Sequence, residues 1–402
     1  MTDLASVDRR AALDGFGALA PQAPDALLGL IALYRDDSRA EKIDLGVGVF
    51  RDDAGLTPVM RAVKAAEAIL LREQESKSYL GPEGDIGYAE LLADVALGRE
   101  LARSPRIVGV QTPGGTGALR LGAELLRRAL PGASIWIGSP TWPNHAPIFQ
   151  EAGLQARAHR FYDVASAQID LAAMLEDLEA AAEGDVLLLH GCCHNPTGAS
   201  LSTEQWQSIT DVCAVKGIIP FIDLAYQGLG DGLDEDAWAS RALFEALPNA
   251  LLAYSCDKNF GLYRERVGAL WVQSACAEQS EPVRGNMLAL ARSIWSMPPD
   301  HGAAIVRTIL ERDDLRNDWM AELAEMRNRI NMLRQMVAQS HPGLAFIGAQ
   351  RGMFAMLPID KNAVTSLRAE QGIYMAGNGR INIAGLSKQN MSNFVAGLAP
   401  HL

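Results

Sequence analysis

Ala250-Leu251-Leu252-Ala253-Tyr254-Ser255 runs straight into Cys256-Asp257-Lys258-Asn259-Phe260-Gly261, and Arg266-Val267-Gly268 follows soon after. An uncharged, mostly apolar run of this length reads as a strand covered on both faces, the kind found in parallel sheets packed between helices. Similar short apolar runs recur at 106–112, 134–138, 185–190, 217–222 and Val267–Gln273. Between them lie stretches with helical spacing, such as 171–182 and 203–215. Strands alternating with helices predict an α/β fold on a mostly parallel sheet flanked by helices. After about residue 316 the pattern changes. Met320, Leu323, Met326, Ile330, Leu333 and Val337 recur every three or four residues and predict one long amphipathic helix. It can join the central unit to a smaller α+β one, and 43–50, an apolar run broken by Gly46 and Gly48, precedes the central unit. The expected division is a large domain over 58–316 and a small domain made of 317–402 and 1–57, the latter including an N-terminal arm.

In an open parallel sheet, ligands bind beyond the carboxyl ends of the strands, so the residues after each run are the candidates. Lys258 stands three residues after Ser255 and eight before Arg266, in a chain with seven lysines against twenty-nine arginines. Partial burial and nearby cations lower an ammonium pKa and make a lysine a nucleophile able to form a Schiff base. Ser255 and Arg266 would then hold a phosphate beside it; the alternative is a surface lysine in a strand-to-helix loop. The run 106–112 enters Pro113-Gly114-Gly115-Thr116-Gly117. There, backbone N–H groups at a positive helix end can approach an anion, although a tight turn with no ligand reads the same. The run 217–222 ends in Asp223, with Tyr226 close behind. A carboxylate at such a strand tip needs a partner: a protonated pyridine nitrogen, or backbone N–H groups if it caps a helix.

The spacing Ser255-x-x-Lys258-x-x-Gly261-x-x-x-x-Arg266-x-Gly268 resembles the pyridoxal-phosphate lysine signature of the aspartate/aromatic-amino-acid aminotransferase family. Blocks of that family are also resembled, in order, by Tyr79-Leu80-Gly81, by Thr112 to Ala118, by Pro140-Thr141-Trp142-Pro143-Asn144-His145 and by His190 to Gly198. Asp223-Leu224-Ala225-Tyr226-Gln227-Gly228 and Gly379-Arg380-Ile381-Asn382 complete the likeness, which covers nearly the whole chain and looks closest to bacterial aromatic-amino-acid aminotransferases. The resemblance implies a fold-type-I transferase with pyridoxal 5'-phosphate as cofactor and Lys258 as its Schiff base and proton shuttle. It further implies a ping-pong transfer of the amino group from aromatic amino acids (Phe, Tyr, Trp) and aspartate to 2-oxoglutarate.

Site residues follow from the same likeness. Gly115, Thr116, Ser255 and Arg266 match the phosphate ligands, with Tyr79 contributed by the second subunit of a homodimer and counted with Lys258 and Asp223 as catalytic. Trp142 matches the residue stacked on the pyridine ring; alone it would pass as core. Asn195 and Tyr226 match the pair on the cofactor's phenolic oxygen, and Asp223 the group that keeps the ring nitrogen protonated. His145 and His194 match groups supporting Asp223 and the ring, though either would also serve as a core histidine. Arg380 matches the clamp for the substrate α-carboxylate, a bidentate task for a guanidinium, and Gly48 assists it. Trp142 and Asn195 also border the substrate. Arg292 matches the arginine that takes a side-chain carboxylate in the partner's site; its bland alternative is a solvated surface charge.

Three positions depart from strict aspartate aminotransferases. Ser78 and Met297 stand where those carry asparagine, and Trp295 replaces a tyrosine near Arg292. Fewer amides and a flexible thioether favour larger apolar side chains, hence dual specificity. The competing readings are a strict aspartate aminotransferase, a pyridoxal-phosphate lyase or decarboxylase, and a binding protein without activity. Arg292 and Arg380 together favour transamination with a dicarboxylic 2-oxo acid, and a mere scaffold has no use for Lys258, Asp223, Arg266 and Arg380 at once. Asp257 is a further departure, because relatives carry serine or alanine there. It must point away from the phosphate or pair with a cation such as Arg264 or Arg266.

The formal net charge of -12 and pI near 5.1 argue against nucleic acid and anionic membranes as partners. Cys192, Cys193, Cys213, Cys256 and Cys276 make an odd count without framework spacing, which fits a reducing compartment. Asp3, Asp8, Arg9 and Arg10 interrupt the N-terminus, and no run approaches the roughly 20 apolar residues of a membrane span. A cytoplasmic enzyme is expected. His190, Cys192, Cys193 and His194 are crowded without the paired spacing of zinc sites, so no metal is expected.

Overall fold

Seven strands form the central sheet of the computed structural model, which describes residues 16, 17, 19–21 and 26–402. Most of the expected N-terminal arm, with Asp3, Asp8, Arg9 and Arg10, lies outside the described residues. Across the sheet the strands run Ile107–Pro113, Val267–Gln273, Ala250–Ser255, Ile219–Leu224, Val186–His190, Ser134–Ser139 and Gln155–Arg160. Val267–Gln273 is antiparallel to both its neighbours, and every other pairing is parallel. Alternation along a strand sends successive side chains to opposite faces. Accordingly Ala250, Leu252 and Tyr254 join one apolar core, with Ile209 and Phe244 from helices Thr203–Lys216 and Leu233–Ala246. Leu251 and Ala253 join the other, with Leu119 and Leu290 from helices Gly114–Ala129 and Ser280–Ile294. The α/β sheet flanked by helices is the architecture that the sequence predicts.

One strand lies outside the expected set, and one expectation needs correction. Gln155–Arg160 is a parallel edge strand that carries no apolar signal, since most of its side chains are exposed. Asp223 does not sit past a strand tip: Ile219–Leu224 continues through it, and it pairs with His190 and Ala253 in the ladder. Within 43–50 only Ile43–Asp44 is a strand, parallel to Ile373–Tyr374.

The long helix is Asp313–Ser340, 28 residues. Leu315, Trp319, Leu323, Met326, Ile330, Leu333 and Val337 form its buried stripe, whereas Met320 is exposed, one position off that face. Trp319 stacks on Phe260 at 4.4 Å and donates its indole N–H to Asn259 O, so the helix braces the residues next to Lys258. Farther along, the buried Arg334 donates to the carbonyls of Gly352, Ile347, Arg351 and Phe354. Those bonds hold the strand Phe354–Met356, which pairs with Arg380–Asn382. No helix among the described residues is long and apolar enough to cross a membrane.

Candidate active site

The antiparallel strand explains why distant motifs meet. Val267–Gln273 starts at the edge where its neighbours end, so Gly268 lies opposite Ser255 on one side and Thr112 on the other. A Cβ at Gly268 would stand 2.5 Å from both Gly114 C and Tyr254 O, so no side chain fits there. Arg266, Ser255 and the start of helix Gly114–Ala129 are thereby brought together. Pro113 at the helix N-cap makes no side-chain cap bond, which leaves the first-turn N–H groups of Gly115 and Thr116 to other partners. A Cβ on Gly115 would come within 3.0 Å of Ser255 Cβ. The result is a small cup with helix-end and guanidinium donors, suited to an anion.

Lys258 faces the same cavity, of about 260 Å³, with Nζ 5.4 Å from the ring centre of Tyr226. Beside it the Asp257 carboxylate pairs with Arg266 Nη1 at 2.8 Å and approaches Lys258 Nζ at 3.7 Å. Of the two outcomes open for Asp257, the structure therefore has the ion pair, with Arg266 and not Arg264 as the arginine. Asn195 Nδ2 donates to the Tyr226 hydroxyl at 3.3 Å, while Asn195 Oδ1 is buried without a partner. Burial pushes the Tyr226 hydroxyl pKa far above its usual value.

Asp223 lines the cavity floor. Its Oδ2 is 3.1 Å from His145 Nε2, and His145 Nδ1 is 2.7 Å from the Thr141 hydroxyl. With Thr141 donating to Nδ1, Nε2–H is left to donate to the carboxylate. Burial alone would raise the Asp223 pKa, but the hydrogen bond from His145, together with the electrostatics of its neighbours including the Lys258 ammonium, outweighs it and holds the carboxyl below its ordinary value. His190, 5.2 Å from His145 between ring centres, also lines the cavity, and its pKa is lowered to about 3 by burial first and His145 second. His194 lies one step farther, 4.2 Å from His190, and donates to or accepts from Thr197 rather than Asp223. The expected pair of supporting histidines is thus His145 in contact and His194 behind His190.

On the far side Arg380 donates to Gly46 O at 2.9 Å, and its guanidinium lies 4.7 Å from the centre of the Phe354 ring. Burial lowers its pKa, and its Nε is buried with no partner. Gly48 packs against the same ring, where a Cβ would meet Phe354 Cζ at 2.6 Å. Trp142 borders the cavity and meets His145 edge-on at 5.2 Å. Phe354 is the main participant that the sequence does not reveal. In Met353-Phe354-Ala355-Met356-Leu357 it reads only as core, and nothing local marks it as the platform under a cation.

Gly48, Gly115, Thr116, Trp142, Asn195, Asp223, Tyr226, Ser255, Lys258, Arg266 and Arg380 therefore share one cavity. Tyr79 and Arg292 do not line it. Tyr79 is 95% exposed, and Arg292 is exposed with Nη1 on the Ser296 hydroxyl. Among the described residues two groups of side chains come within metal-ligand range, and each has another bonding role. His145 and Asp223 are the pair described, with His190 beside them; in the second, with Cys192 and Cys193, the Asp236 carboxylate accepts from the N–H groups of Gly228, Gly230 and Asp231.

Residues 40–398 match the family profile of aminotransferase class I and II. The tyrosine aminotransferase of Rhizobium meliloti (strain 1021) is 51% identical over 375 residues, 92% of this chain and 96% of that one. The aspartate aminotransferase of Salmonella typhi is 42% identical over 376 residues, 92% and 95% of the two chains. The crystal structure of an aromatic-amino-acid aminotransferase from Burkholderia pseudomallei, covalently bound to pyridoxal phosphate, superimposes with a TM-score of 0.92 at 36% identity, covering 96% of this chain and 99% of that one. With sequence, fold and strand-end cavity in agreement along nearly its whole length, the chain belongs to the aminotransferase class I and II family.

Proposed function

We propose that the protein is a pyridoxal-phosphate-dependent transaminase that moves the amino group of aromatic amino acids and of aspartate to 2-oxoglutarate. The observation that carries this reading is one cavity combining a half-buried lysine, an ionised aspartate backed by histidine, an anion cup and a half-buried arginine. The residues fit the cofactor. Asn195 Oδ1 is a buried acceptor without a partner, and the cup between Gly115, Ser255 and Arg266 would be filled by a Cβ at Gly114 or Gly115. Gly115, Thr116, Ser255 and Arg266 would hold its phosphate, Trp142 its ring face, and Asn195 with Tyr226 its phenolic oxygen.

When bound, pyridoxal phosphate supplies a carbonyl that links to amines and a ring that accepts the electrons of a breaking Cα–H bond. The chain's own groups do the rest. Asp223, kept ionised by His145, holds a proton at the ring nitrogen. Lys258 provides the attaching amine, takes the substrate's Cα proton as general base and returns it as general acid. Arg380 orients the substrate α-carboxylate, and with no carboxylate partner among the described residues it is free for that task. Gly48 leaves room beside it.

The working unit we infer is a cytoplasmic homodimer in which Tyr79 and Arg292 serve the partner's site; their exposure supports this. Each protomer would divide into a large domain, 58–316, and a small one, 1–57 with 317–402. An absorbance spectrum of the reconstituted protein tests the function. A visible band that shifts with phenylalanine and with aspartate, and returns with 2-oxoglutarate, is the expected result. A shift with aspartate alone would mean a strict aspartate enzyme; a shift that 2-oxoglutarate fails to reverse would favour a lyase or decarboxylase.

A further inference from the structure

Asp257 is 6% exposed and lines the cavity beside Ser255, Gly115 and Thr116. We propose that its carboxylate is a built-in competitor for the cofactor's phosphate, one that weakens the noncovalent hold of the cup. Retention then depends on the covalent link to Lys258. This inference rests on the pyridoxal-phosphate reading and deepens it.

Arg266 Nη1 has two N–H groups, and both are engaged: one by Asp257 Oδ2 at 2.8 Å, the other by Tyr263 O at 3.0 Å. Two effects of opposite sign follow. Asp257 fixes the guanidinium, which favours phosphate binding; it also places a negative charge beside a site for a dianion, which opposes it. The first effect has a substitute. Tyr263 O anchors the same nitrogen, and the strand Val267–Gln273 begins at the next residue, so Arg266 stays oriented without Asp257. The second has none. The cations in contact with Asp257 are Arg266 and Lys258, while its other titratable neighbours, Tyr263, Tyr88 and Cys256, are neutral groups whose pKa values are raised, chiefly by burial. Asp257 Oδ1 is moreover buried with no partner, so little solvent screens the charge. Repulsion therefore wins.

The effect is largest for the amine form of the cofactor, which has no bond to Lys258 and is held by the cup and ring contacts alone. The half-reaction that generates this form is then also the point at which cofactor exchanges with solution.

The test compares wild type, Asp257→Ser and the near-isosteric Asp257→Asn. Apoprotein of each is titrated with pyridoxamine phosphate and, separately, with inorganic phosphate, by calorimetry. Both variants are expected to bind both ligands at least about tenfold more tightly than wild type. The variants should also retain amine-form cofactor through desalting where wild type loses it. Equal or weaker binding in either variant overturns the proposal and makes Asp257 an orienting residue for Arg266. A wild type that forms no visible band with pyridoxal phosphate would sink the functional reading instead, and the phosphate titration would still report on Asp257 separately.

Discussion

Arg380 and Arg292 carry the same side chain in opposite settings. Arg380 is half-buried, bonded to Gly46 O, laid over Phe354 and part of the cavity lining. Arg292 sits near the C-terminal end of the helix Ser280–Ile294, exposed, with the Ser296 hydroxyl as its hydrogen-bond partner. The contrast extends to their surroundings. The cup is assembled from strand ends and a helix start in one chain, brought together by ladder register. The rim of Ser78, Tyr79, Arg292 and Met297 lies on the surface, linked by such contacts as Leu80 N donating to Met297 Sδ at 3.2 Å. Groups that handle protons and charge must be preorganised and dry, and a single chain supplies them. Groups that choose among substrates need a second wall, which we have proposed a second copy provides.

The largest expected effect strikes the buried side. Lys258→Ala should lower kcat by at least about 10⁴-fold, since attachment and proton transfer are lost together. Single-turnover absorbance with phenylalanine checks it; activity within tenfold of wild type would remove Lys258 from the mechanism. The rim is probed next. Arg292→Ala should cut kcat/KM for aspartate by about 10²–10³-fold, the range for losing a partner of a desolvated charge, while phenylalanine turnover falls far less. If Arg292 acts across the dimer, mixing Lys258→Ala and Arg292→Ala chains after dissociation should restore about a quarter of wild-type aspartate activity, because half of randomly paired dimers carry one intact site. No recovery from chains shown to have exchanged would place Arg292 in its own chain's site and end the contrast.

A third expectation concerns acid stability. His190, His194 and His159 all have folded-state pKa values below the ordinary histidine value, with burial as the leading cause. A depressed histidine pKa means that the unfolded chain binds the proton first. The stabilisation is complete above about pH 6.5 and is lost as pH falls toward the folded values, near 3 for His190. At pH 5 the loss for His190 alone is about 2 kcal/mol. Melting temperature between pH 7 and 5 should therefore fall less steeply in His190→Asn than in wild type. Parallel slopes would mean that His190 does not titrate against the fold.

Much of the cup is legible in the sequence because the local order of residues nearly dictates it. Apolar strands, a Gly-Gly-Thr helix start and a lysine three residues past a serine survive any change in long-range packing. Six of the seven sheet strands fall within two residues of the predicted bounds. What is not legible depends on distant partners. Phe354 reaches Arg380 only through the pairing of Phe354–Met356 with Arg380–Asn382. Gln155–Arg160 is a strand because Ser134–Ser139 templates it, not because of its own composition. Asp257 was open between two placements, and only the register of Val267–Gln273, which positions Arg266, decides for the ion pair.

The smallest effect concerns the choice between substrates at one weak contact of the rim. Met297 accepts a hydrogen bond from Leu80 N through sulfur, a weak acceptor. It thereby joins the segment bearing Tyr79 to the one bearing Arg292 with a contact that yields readily. In Met297→Asn the side-chain amide oxygen is a stronger acceptor for the same N–H, and the amide N–H groups remain to order a carboxylate near Arg292. Removing the thioether also removes a pliable apolar surface for an aromatic ring. Both changes favour aspartate over phenylalanine. The ratio of kcat/KM, aspartate to phenylalanine, should rise by about two- to tenfold, the worth of one net hydrogen bond. Because the cup is untouched, the visible spectrum and the cofactor affinity should stay as in wild type. A ratio that does not move would take Met297 out of the specificity argument and leave Ser78 and Trp295 as the departures still to be examined. A ratio that moves together with cofactor affinity would show that rim and cup are coupled, and that the separation between them is less complete than their burial suggests.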